Sequence, residues 1–62
     1  MDLITQVFIK PNQEMTKEMA MKKLKDLMPN DPNKEEKAAA SLGGSVASGF
    51  LVRNGNIYKR MR

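Results

Sequence analysis

The sequence predicts an α+β fold, a small β-α-α-β-β domain with a three-stranded antiparallel sheet and a C-terminal hairpin. Three observations carry this: a run of β-branched and aromatic residues over 3–10, two stretches of helix formers punctuated by proline, and an Asn-Gly pair between two short apolar runs near the C-terminus. The 62 residues fit one small domain, 1–62, and no second one. A chain this short buries only about 60% of the surface its unfolded form exposes, so every element has to contribute to one core.

The first element is LITQVFIK, residues 3–10, with Leu3, Thr5, Val7 and Ile9 on one strand face and Ile4, Gln6, Phe8 and Lys10 on the other. Pro11 ends it. Thr16 then opens a helix as N-cap, with Glu18 in the first turn, where a carboxylate offsets the helix dipole. The segment TKEMAMKKLKDLM puts Ala20, Leu24, Leu27 and Met28 on one side, and Pro29 stops it. Asp31 can cap a second helix, and Pro32 suits its first position. Gly43-Gly44 leaves two endings open. The helix stops there, or it runs to Ser48 at about 1 kcal/mol per glycine, with Gly49 as its stop. The spacing of Ala39, Leu42 and Val46 favours the longer helix. Last, Asn54-Gly55 lies between FLVR and NIYKRM and predicts a two-residue type I′ hairpin. Arg53 would then face Asn56, Val52 face Ile57, Leu51 face Tyr58 and Phe50 face Lys59. Phe50, Val52 and Ile57 form the inward face, against Leu24, Leu27 and Leu42. Leu51 and Tyr58 lie outward with Arg53 and Arg60. A hairpin alone is marginal, so residues 3–10 supply the third strand.

The formal charge is +4, and all of the excess is at one end. Residues 1–49 hold seven lysines and seven acids and sum to zero, whereas 50–62 hold Arg53, Lys59, Arg60 and Arg62 with no acid. Arginine's planar fork suits phosphate and carboxylate, and such a field attracts nucleic acid, an acidic protein surface or anionic lipid. The bland reading is a basic tail that aids solubility.

Catalysis is not expected. Cysteine and histidine are absent, which removes thiol nucleophiles, zinc-thiolate sites, imidazole ligands and the usual neutral-pH base. Glu35 and Glu36 are neighbours whose side chains diverge by about 100° on a helix, so they do not converge on one ion. Gly43-Gly44-Ser45 lacks the spacing and the lysine of a phosphate loop. No cofactor or metal is therefore expected. No segment approaches the roughly 18–20 apolar residues of a membrane span. The apolar run at the N-terminus has Asp2 at its head and no basic leader, which argues against a secretory signal and for a cytoplasmic location.

A strand, a helix opening on TKEMA, a turn, a second helix and a glycine junction into GFLVRNGNIYKR resemble, over residues 3–61 and as a pattern, the winged helix-turn-helix family. The resemblance implies that the second helix of the pair enters the major groove, with Lys37, Ser41, Gly44 and Ser48 as its exposed stripe. It also implies that the hairpin, or wing, contacts phosphates through Arg53, Asn54, Lys59 and Arg60. Tyr58, beside Arg53 and Arg60, either stacks on an exposed base or covers Leu51. The expected function is a small nucleic-acid-binding or transcription-regulating module. The alternative is a protein-binding inhibitor or adaptor that docks its basic hairpin on an acidic partner, of a size typical of phage and mobile-element genes. A subunit of a larger assembly is a third reading. With no helix before the first strand, an apolar flank stays uncovered, and six methionines can adapt to a partner, so at least a homodimer is expected.

Overall fold

The computed structural model describes residues 3–62; Asp2, invoked above for the N-terminal run, lies outside them. The elements are α1 (Leu3–Val7), β1 (Glu14–Thr16), α2 (Lys17–Asp26), α3 (Lys34–Ala47), β2 (Leu51–Asn54) and β3 (Ile57–Arg60). The three strands form one antiparallel sheet in the order β1-β3-β2. The α+β class and the three-stranded sheet agree with expectation. The first element does not.

Residues 3–10 are not a strand. Ile4, Val7 and Phe8 are spaced i, i+3, i+4, and as a helical face they enter the core together. Burying that triplet overrides the strand preference of the β-branched residues. Phe8 N–H donates to the Ile4 carbonyl at 2.8 Å, extending the helical pattern. Gln13 closes the end: its Nε2 donates to Val7 O, while its Oε1 accepts from the N–H groups of Ile9 and Lys10. The chain reverses at Asn12 (φ 67°), and the third strand is Glu14–Thr16. A helix does therefore precede the strand, and the flank expected to be bare is covered by α1.

The opening of α2 is as expected, with Thr16 Oγ1 accepting from Met19 N–H at 3.2 Å. Its buried side chains are Ala20 and Leu24, but Leu27 has moved past the helix end and is exposed. α3 begins at Lys34, two residues later than expected. Asp31 does not cap it; its carboxylate accepts from Asn33 N–H and pairs with Lys37 across the turn. The helix runs through Gly43-Gly44 and ends before Gly49, whose φ of 84° breaks the right-handed path. Its buried residues are Ala38 and Leu42. Ala39 and Val46, expected on that stripe, are exposed.

The hairpin turn lies one residue later than expected, at Gly55-Asn56. Gly55 has φ 62° and Asn56 does not share its positive φ, the pattern of a type II′ turn with glycine first. The pairs become Asn54–Ile57, Arg53–Tyr58, Val52–Lys59 and Leu51–Arg60. The grouping of residues by face survives this slip, but the inward face is the opposite one. Leu51 (1% exposed) and Tyr58 (5%) are in the core, whereas Val52 is 45% exposed. Turning the Val52 face inward would have buried Asn54 and Lys59 with it. On the chosen face the cations stand at the ends, where Arg53 reaches solvent and Arg60 finds carbonyl partners. One cluster results: Ile4, Val7, Phe8, Ala20, Leu24, Ala38, Leu42, Leu51 and Tyr58, with Phe50 packed at its margin.

Candidate functional site

The residues expected to bind a partner fall into three places. At the hairpin tip, Arg53 and Asn54 are exposed. The Arg53 Nε donates to Gly55 O at 2.9 Å, and its guanidinium carbon lies 5.8 Å from the Tyr58 ring centroid. Asn56 joins the tip to the start of α2: its carbonyl accepts from Lys17 N–H at 2.8 Å, and its Nδ2 donates to Glu18 Oε1 at 2.7 Å. That hydrogen bond, more than the nearby Lys17 charge, holds the Glu18 carboxyl below its ordinary pKa. Lys17, Arg53, Asn54 and Asn56 thus belong to one polar region, which sequence reasoning found only in part. The Glu18–Asn56 link spans 38 positions and has no local signature. Lys59 is half-buried on the other face of the sheet, in register with Glu14 of β1.

Two expected site residues belong to the framework. Tyr58 is in the core at 5% exposure, opposite Arg53 in the hairpin and not opposite Leu51. Arg60 is not on an outer face: its Nη1 donates to Phe8 O at 2.7 Å and Ile9 O at 2.6 Å, and its Nε to Arg62 O at 2.6 Å. Its guanidinium carbon also lies 4.8 Å from the Phe50 ring centroid. Arg60 therefore satisfies carbonyls that α1 leaves open at its end. Lys37 is engaged as well, with its Nζ 2.5 Å from Asp31 Oδ2; this pairing is the main reason the Asp31 carboxyl is held below its usual pKa.

The third place is a groove of about 400 Å³ along α3. Ala40, Ser41, Gly44 and Ser48 form one wall, and Thr5, Phe50 and Arg62 close the others. Arg62 Nη2 donates to Ser48 O at 3.2 Å, which sets the cation at one end. Ser41 and Arg62 therefore meet here and not at the hairpin tip. Of the stripe read in the sequence, Ser41, Gly44 and Ser48 line the groove and Lys37 does not; Ala40 and the walls from α1 and the C-terminal segment were not legible.

Among the described residues, no cluster of acids could hold a metal ion, and no helix is long and apolar enough to cross a membrane. Compared with protein-family models, curated proteins and solved structures, the chain matches none.

Proposed function

We propose that this chain is a small, non-enzymatic nucleic-acid-binding module of the transcription-regulating kind, winged-helix-like in plan and acting in the cytoplasm. The observation that carries the reading is the order of elements: a helix, a strand and a helix pair lead into a hairpin, on a sheet ordered β1-β3-β2. The hairpin segment also holds the chain's whole charge excess. In this reading Arg53 is the principal phosphate contact. Its Nε is held by Gly55 O, which leaves its terminal amino groups for an anion. Lys17 and Lys59 add charge, and Asn54 and Asn56 supply amide donors.

The test is retention of labelled duplex and single strand at two salt concentrations, with wild type beside Arg53→Ala/Lys59→Ala. Wild-type binding should weaken steeply with salt, and the double variant should lower the slope by about one unit per lost phosphate contact. No binding to either nucleic acid, or binding indifferent to salt, would reject the reading.

A second reading is a basic hairpin docked on an acidic partner protein. What favours it is the exposed side of α3, where the Glu36 carboxylate repels phosphate and Ala40 and Gly44 offer no group that reads base edges. In that case the Arg53→Ala/Lys59→Ala change slows association with the protein partner, and nucleic acid is poorly retained even by wild type.

A further inference from the structure

The groove along α3 shares no residue with the hairpin tip, and its two ends differ in charge. One i, i+4 row of α3 reads Glu36, Ala40, Gly44, Ser48, and the last three line the groove. Over 14 residues the helix is about 21 Å long. At its C-terminal end Arg62 is held on the Ser48 carbonyl; among the described residues it is the only charged group of the lining and has no carboxylate partner. At its N-terminal end Glu36 is exposed. The one salt bridge among the described residues joins Lys37 to Asp31, so Glu36 is not in an ion pair. No cation stands three or four positions from Glu36, where those positions are Pro32, Asn33, Ala39 and Ala40.

The glycines of this helix have no role inside the chain. A Cβ at Gly43 or Gly44 would meet nothing within 4 Å. A mid-helix glycine costs about 1 kcal/mol relative to alanine, and packing within this fold does not require either one. The absent side chain of Gly44, which lines the groove, does keep it open to another backbone.

We infer that the groove seats α3 of a second copy of this chain, antiparallel to the first and related to it by a two-fold axis. Placing Gly44 against Ala40 of the other copy sets Ser48, and with it Arg62, opposite the other copy's Glu36. The symmetry repeats the contact, so each dimer has two Arg62–Glu36 pairs. An isologous interface must match itself, and this row does, with an acid at one end, a cation at the other and small residues between. The opposed helix dipoles add to the match.

Sedimentation equilibrium of the full chain through the micromolar range tests the inference. Wild type should dimerise. Glu36→Arg alone, or Arg62→Glu alone, sets like charges together at both contacts and should weaken dimerisation about tenfold. The double variant Glu36→Arg/Arg62→Glu should recover it, and mixing the two single variants should yield the mixed dimer. Gly44→Leu should stay folded by circular dichroism, since Gly44 is exposed and a Cβ there meets nothing within 4 Å, yet sediment as a monomer. A wild type that remains at 7.0 kDa throughout, a double variant as weak as the singles, or a Gly44→Leu protein that still dimerises would each overturn the inference.

Discussion

The Arg60 guanidinium reaches the carbonyls of Phe8 and Ile9 from a strand more than 50 positions away, and only the folded chain brings those groups together. Replacing it with alanine leaves carbonyls at the end of α1 without their charged donor. The expected cost is about 1.5–3 kcal/mol, read from urea unfolding. Arg53→Ala should stay within about 0.5 kcal/mol, because its exposed side chain makes one hydrogen bond to a turn carbonyl and a 5.8 Å ring contact with Tyr58. Reading the hairpin as a row of free cations treated these two arginines alike. Their difference was not legible, because a two-residue alternation says which side chains share a face but not which face meets the core.

At the scale of elements, α3 and its stop respond to side chains in opposite directions. Gly43→Ala should raise stability by about 1 kcal/mol, since the new methyl enters open space in a helix. Gly49→Ala should lower it by about 1–2 kcal/mol, since φ 84° disfavours any Cβ. Thermal unfolding of both variants checks the pair of signs. The junction between the hairpin and α2 should depend on pH. The folded pKa of Glu18 is depressed, so its link to Asn56 contributes above the ordinary glutamate value of about 4.3 and is lost as pH falls through the lower folded one. The Asn56 side-chain amide should shift over that acid range in an NMR titration, and Glu18→Gln should flatten the response. Two of the elements were plain from local signals: Thr16 as a cap, and glycine as helix stop and turn. The first was not, because LITQVFIK satisfies strand alternation and a short helical face equally well.

For the whole molecule, the core is small enough that single truncations are decisive. Leu24 is fully buried between α2 and its neighbours, so Leu24→Ala should cost about 2–5 kcal/mol, comparable with the total stability of a small domain. Phe8→Ala should be at least as damaging, whereas Ile9→Ala should be nearly silent, as Ile9 is 66% exposed. The contrast between these adjacent residues, read from denaturation midpoints, also distinguishes a docked α1 from any arrangement that exposes Phe8.

The sequence by itself determined the helix pair, the presence of a hairpin and the segregation of charge into 50–62, and it favoured Gly49 over Gly43-Gly44 as the helix stop. All of these are local: caps, turn residues, helical spacing and composition act within a few positions. Tertiary structure alone decided that 3–7 coil into α1, that Leu51 and Tyr58 face inward, and that Arg60 and Arg62 bind carbonyls at the end of α1 and at Ser48. The physical reason is that these choices are near-degenerate locally. They are settled by which apolar triplet fills the one core and which buried or half-buried polar groups find partners, and both depend on contacts far apart in the chain.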